Sequence, residues 1–249
     1  MPQLHSDVDQ MGASLVVRLD GELSARTAPQ VRTILLKCLA DRPDVLVVDL
    51  SRLTVRESFA LSIFRAVARQ AALWPGTPIA YCVPPAEMSG VFADLGRPAV
   101  FTTVEQALAA KPRQSLPSLG ESLLPVAGAT ARARALAGEA CERWELPQAS
   151  PSARLIVGEL ATNAMVHAQT MFDVRLILGR RYLLIAVRDG SPAVPRIDFG
   201  ERDEVATGRG LMLVEAAAAR WGSVPAEGGK VVWAALSVRN RADNLGPIG

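Results

Sequence analysis

The sequence predicts an α/β domain followed by an α+β sandwich, and three observations carry that expectation. The chain has 249 residues, 49% of them hydrophobic, enough for two cores of ordinary size. One stretch, Lys111-Pro112-Arg113-Gln114-Ser115-Leu116-Pro117-Ser118-Leu119-Gly120-Glu121-Ser122, has no periodicity and is broken by proline, serine and glycine, so it reads as a linker. Before it, short apolar runs alternate with helical spacing; after it, helices precede an apolar hairpin. The expected boundaries are therefore 1–110 for the first domain, 111–122 for the linker and 123–240 for the second.

In the first domain, Leu15–Leu19 reads as a strand broken by Asp20-Gly21. Helical spacing runs from Ala25 to Ala40, with Ser24 as N-cap and Val31, Leu35 and Leu39 on one face. Val45–Leu50 is a continuous apolar run, as in a strand covered on both sides. Phe59–Leu73 is helical and stopped by Pro75-Gly76; Pro78–Val83 is a strand, and Ala86–Leu95 a short helix.

In the second domain, Ala127–Trp144 is an alanine- and arginine-rich helix ended by Pro147. A second helix starts at Pro151 and continues to about Ala168. Phe172–Leu178 and Tyr182–Val187 form a hairpin across Gly179-Arg180-Arg181. A polar loop then leads to a helix from Gly210 to about Trp221, and the strand Lys230–Val238 closes the domain.

Charge narrows the function. The 27 basic and 25 acidic residues nearly cancel, which gives no electrostatic reason to expect nucleic acid or an anionic membrane as partner. No apolar run approaches the ~18 residues of a transmembrane helix, and Met1-Pro2-Gln3-Leu4-His5 lacks the features of a signal peptide, so a cytoplasmic location is expected. Cys38, Cys82 and Cys141 show no metal or redox spacing. Reduced, packed thiols are the reading, with a Cys38–Cys82 disulfide as the alternative.

Three segments could carry chemistry. In Leu155–Ala168, Glu159, Asn163 and His167 fall at i, i+4 and i+8 beside the apolar stripe Ile156, Leu160 and Ala164. A carboxylate and an amide one turn apart suit an oxygen-rich site of the kind magnesium shares with phosphate and water. They equally fit the solvated face of an amphipathic helix. Asp189-Gly190-Ser191-Pro192 follows a strand directly. Its aspartate could accept from a base's exocyclic amine, and its glycine could let a ring approach; a plain turn is the alternative. Thr207-Gly208-Arg209-Gly210 runs into a helix, whose exposed N–H groups would face a phosphate.

The order of these segments resembles the GHKL ATPase superfamily, with its Bergerat-type α/β sandwich, over roughly Leu123 to Val238. Within it, the short loop between Asp189 and Gly208 is most similar to bacterial anti-sigma serine kinases. The resemblance implies ATP and Mg2+ as cofactors. It makes Glu159 the general base, Asn163 the magnesium ligand, Asp189 and Gly190 the adenine side, and Gly208 and Gly210 the phosphate side. Arg209 and Lys230 stand near the phosphates in chain order, without a family role. His167 reads as a helix-face residue. One departure is Asp189-Gly190-Ser191-Pro192-Ala193, where the family has Asp-x-Gly-x-Gly.

The first domain is similar to STAS domains of the anti-sigma-factor antagonist kind, through Gly21-Glu22-Leu23, Val48-Asp49-Leu50-Ser51 and Glu57-Ser58-Phe59-Ala60-Leu61. That implies a mixed sheet with helices, and Ser58 as phosphoacceptor; as a plain N-cap, Ser58 would need no such role. Glu57 and Ala60 replace the family's aspartate and glycine. Together the two resemblances imply a serine kinase fused to an antagonist-like domain, working by partner switching with a sigma factor or an antagonist protein. A binding module that turns over no nucleotide is the alternative. A homodimer is among the arrangements relatives of the second domain adopt.

Overall fold

The computed structural model describes residues 4–73, 77–83, 99–110, 116–195 and 209–238. The chain divides into two compact units, residues 1–115 and 116–249.

The first unit holds a mixed five-stranded sheet in the order β1-β2-β3-β4-β5. Strand β1 (Leu4–Met11) pairs antiparallel with β2 (Ser14–Leu23), while β3 (Leu46–Val55), β4 (Ile79–Cys82) and β5 (Ala99–Phe101) add in parallel. Parallel strands need covered faces, and here both are apolar. One face packs Val16, Val47, Ala80 and Cys82 with Ala107 of helix α3 (Val104–Ala109). Helices α1 (Ala28–Ala40) and α2 (Ser62–Leu73) supply the further buried residues Val31, Leu35, Leu39, Phe64 and Val67. Tyr81 sets its ring edge-on to Phe64 at 5.5 Å and donates its hydroxyl proton to the Phe64 carbonyl at 3.2 Å, so this buried phenol is satisfied.

Several expectations are corrected here. Strand β2 does not stop at Asp20-Gly21. It passes through with a register shift between Arg18 and Asp20, and Gly21 takes φ +114°. Ser24 does not cap α1; its N–H bonds the Thr27 hydroxyl oxygen at 2.9 Å, and the helix begins after Thr27. The expected helix from Phe59 opens as a 3-10 turn, Ser58–Leu61, before α2. The expected helix Ala86–Leu95 lies outside the described residues.

The second unit is an antiparallel sheet in the order β6-β7-β8-β10-β9, with helices α4, α5 and α6. Its strands are β6 (Ser118–Leu123), β7 (Phe172–Leu178), β8 (Tyr182–Asp189), β9 (Arg220–Ala226) and β10 (Gly229–Ser237). Part of the expected linker is thus strand: β6 pairs with β7 from Ser118↔Ile177 to Leu123↔Phe172. Strand β9 takes Trp221 from the expected last helix, because α6 (Arg209–Ala217) ends earlier.

Alternate residues of three strands face the helices: Val174 and Leu176; Leu183, Ile185 and Val187; Val232, Ala234 and Leu236. They meet α4 (Ala129–Arg143) and α5 (Ser150–Asn163), whose small buried residues let the two helices approach closely. The approach is reciprocal. Arg154 of α5 lies over Gly138 of α4, and Arg134 of α4 lies over Gly158 of α5. A Cβ on Gly138 would stand 2.8 Å from an Arg154 nitrogen, and one on Gly158 would overlap the Arg134 guanidinium. Helix α5 then widens into a π turn, Ala164–Ala168, which ends at Gln169 with φ +53°. Widened turns of this kind are rare and are found frequently at functional sites.

Candidate functional site

The site is built where β8, α5 and α6 end or begin. Asp189 is the last residue of β8, and period-two alternation places it in the row of Leu183, Ile185 and Val187 that faces the helices. It is 6% exposed. Directly opposite in β10 stands Lys230, which continues the row of Val232, Ala234 and Leu236. Lys230 Nζ donates to Asp189 Oδ1 at 2.8 Å and to the Ser191 carbonyl at 3.1 Å. The Ser191 N–H also donates to Oδ1, at 2.9 Å. A buried carboxylate is thus paired and hydrogen-bonded, as burial of a charge requires. Lys230, to which the sequence assigned no role, thus sits on the Asp189 carboxylate.

Close backbone approach shapes the same corner. A Cβ on Gly229 would run into the Asp189 carbonyl and lie 2.8 Å from the Gly190 Cα. Gly190 itself is exposed, and its N–H donates to the Thr170 hydroxyl oxygen at 2.9 Å. Thr170 follows the π turn, so this bond ties the end of α5 to the end of β8.

Glu159, half-buried on α5, points its carboxylate at two groups. Oε1 lies 3.9 Å from an Arg134 nitrogen, and Oε2 would be 2.6 Å from a Cβ on Gly210. Gly210 is buried in the first turn of α6. Glu159 and Gly210 are therefore brought together, with the carboxylate at the positive end of a helix. Asn163 closes α5, half-buried, one turn beyond Glu159. His167 is exposed in the π turn. Gly208 lies outside the described residues. Ser58, in the other unit, is exposed at the start of its 3-10 turn, and the preceding Glu57 accepts the Ala25 N–H at 2.6 Å.

Three contributors were not assigned to this site from the sequence. Lys230 could have been placed by register, since the end of β8 and the start of β10 must lie opposite in the antiparallel pair. Thr170 and Arg134 leave no periodic signal; both are set by how α5 meets its neighbours.

The donor set fits a nucleotide at the base end. Among the described residues Asp189 Oδ2 takes no hydrogen bond, unlike Oδ1, and exposed Gly190 leaves its ring-side face without a side chain. For a metal, no group of three or more His, Cys, Asp or Glu side chains stands close enough together among the described residues. Magnesium would lean on Asn163, phosphate oxygens and water, in keeping with its habits.

An antiparallel sheet with helices on one face makes the second unit an α/β sandwich; the first unit is a mixed-sheet domain. Sequence comparison agrees. Residues 6–96 match the family described as Mlab, STAS domain, and residues 125–236 match the histidine kinase-like ATPase domain. The chain carries a STAS domain and a histidine-kinase-like ATPase domain.

Among solved structures, an anti-sigma factor antagonist from Mycobacterium paratuberculosis is 23% identical, over 43% of this chain and 93% of that one, with a TM-score of 0.36. The anti-sigma factor antagonist SpoIIAA in its unphosphorylated form is 21% identical, over 42% and 93%, with a TM-score of 0.34. No curated protein matches the chain. No helix among the described residues is long and apolar enough to cross a membrane.

Proposed function

We propose that the chain is a partner-switching serine kinase: its second domain binds Mg·ATP, and its first is the antagonist-like partner of that chemistry. The observation that carries the reading is the seating of Glu159 against the first turn of α6, one helical turn from Asn163. A nucleotide with its base at Asp189 and Gly190 and its phosphates at Gly208 and Gly210 would present the transferable phosphoryl group near that carboxylate. ATP supplies the phosphoryl group, and Mg2+ neutralises charge on its oxygens. Glu159 accepts the proton of the incoming serine hydroxyl, Asn163 holds the metal, and the α6 N–H groups face the phosphates.

Ser58 is the candidate acceptor within the chain, in the same copy or in a second one, and a serine on a separate antagonist protein is the other; the external partner class is a sigma factor or an antagonist protein. Exposure of Ser58 and its place at a helical start support it, since added phosphate charge is stabilised there.

One observation favours the binding-only reading. The boxes around Asp189 and Ser58 depart from the family patterns, with Ser191, Pro192 and Ala193 after Asp189-Gly190 and with Glu57 and Ala60 beside Ser58. The test is incubation of the purified chain with labelled ATP and magnesium, then mass mapping. Phosphate on Ser58, absent in Ser58→Ala and Glu159→Ala, supports the kinase. Saturable ATP binding without phosphate on the chain or on an added antagonist supports the binder. No binding at all removes ATP from the function.

A further inference from the structure

We propose that Lys230 reads the purine ring directly, donating to the ring nitrogen N1 beside the exocyclic amine that Asp189 accepts from. The inference rests on the nucleotide reading above and adds to it a specificity-determining residue. The chemistry follows from counting donors and lone pairs. An ammonium carries three N–H groups. Among the described residues two are used, on Asp189 Oδ1 at 2.8 Å and on the Ser191 carbonyl at 3.1 Å, which leaves one. Oδ1 already takes two donors, Lys230 Nζ and the Ser191 N–H, so Oδ2 is the acceptor that remains.

The pair therefore offers one acceptor and one donor side by side. The Watson–Crick edge of adenine is the complement, a donor at N6 next to an acceptor at N1. In the same pose guanine places its O6 acceptor against Asp189 Oδ2 and its N1–H donor against Lys230, so both positions meet a like partner. A site with fixed polar groups rejects such a mismatch strongly, because a desolvated donor is left unpaired.

Lys230 is also held in place for the task. Its side chain is 9% exposed, its register partner is Asp189, and its second bond ties it to the loop that follows β8. A lysine so anchored loses little freedom when it makes a third hydrogen bond.

Binding of ATP, 1-deaza-ATP and 7-deaza-ATP to the full chain, measured by calorimetry with magnesium, tests the proposal. Loss of N1 is expected to weaken binding by roughly tenfold, the usual worth of a hydrogen bond from a charged donor. Loss of N7, away from the Watson–Crick edge, should leave affinity unchanged. In Lys230→Met the gap between ATP and 1-deaza-ATP should close. Equal binding of ATP and 1-deaza-ATP by the unmutated chain would overturn the role of Lys230 while leaving the nucleotide reading intact. No binding of any of the three overturns that reading, and the inference with it. If Lys230→Met fails to fold, the comparison on the unmutated chain decides alone.

Discussion

The Glu159 carboxylate rests against Gly210: a Cβ built on that glycine would stand 2.6 Å from Oε2 and 3.7 Å from the Glu159 Cβ. The near atom is the end of a flexible side chain, so Gly210→Ala should displace the carboxylate and spare the backbone. Alanine is also the better helix former, by about 1 kcal/mol, which offsets the strain. Unfolding in urea is expected to shift by less than about 1 kcal/mol. Phosphoryl transfer should fall by roughly a hundredfold, because a displaced base loses its alignment. A large loss of stability would show instead that the contact is part of the core.

Gly229 and Gly228 form a contrasting pair. At Gly229 the obstruction is backbone, the Asp189 carbonyl and the Gly190 Cα at 2.8 Å, and neither can move without breaking the β8–β10 pairing. Gly229→Ala should cost about 3 kcal/mol, in the range of overpacked sites. Gly228 has φ +70° with nothing within 4 Å of its Cβ position, so Gly228→Ala meets backbone strain alone, about 1 kcal/mol. Denaturant midpoints of the two variants, measured side by side, check the difference; equal losses would refute the assigned cause.

Where the sequence was legible, a period or a punctuation mark carried the signal. The apolar run at Val45–Leu50 and the hairpin Phe172–Leu178 with Tyr182–Val187 were readable because side-chain alternation and Gly179 are local. Strand β1, by contrast, reads Leu4-His5-Ser6-Asp7-Val8-Asp9-Gln10-Met11 and is nearly all exposed, so it carries almost no apolar pattern. Its pairing with β2 supplies the order instead. Strand β6 hid inside a proline- and serine-rich stretch for the same reason. At the candidate site, Glu159, Asn163 and Asp189 were visible through spacing. The Lys230 ion pair was not, since it depends on which strands neighbour each other in the sheet.

The Lys230–Asp189 pair makes a prediction about stability that is separate from ligand. Both side chains are nearly sealed, at 9% and 4% exposure. Removing one partner strands a buried charge, and Lys230→Ala should cost about 3–5 kcal/mol. Replacing both, as in Lys230→Met with Asp189→Leu, should recover most of that loss, because two apolar groups of similar volume need no solvation. Chemical denaturation of the single and double variants gives the coupling. If the single variant were as stable as the parent, the pair would have to be open to water.

The cysteines add a pH dependence whose sign follows from burial. All three are free and buried. Desolvation, helped by Asp41, pushes the Cys38 thiol from 9.0 up to about 11; desolvation, with Asp49 and Glu105, pushes Cys82 up to about 12. The folded thiols hold their protons more tightly than the unfolded ones, so folding gains their full contribution below about 9. That contribution is lost as pH rises through 11 and then 12, because the unfolded chain ionises first. Stability should therefore fall between pH 9 and 11, and less steeply in Cys38→Ala. Alkylation by iodoacetamide at pH 8 should be negligible for the native chain and complete in denaturant, since the thiolate is the reacting form. Fast labelling of Cys38 or Cys82 in the native chain would contradict the packing of both strand and helix around them.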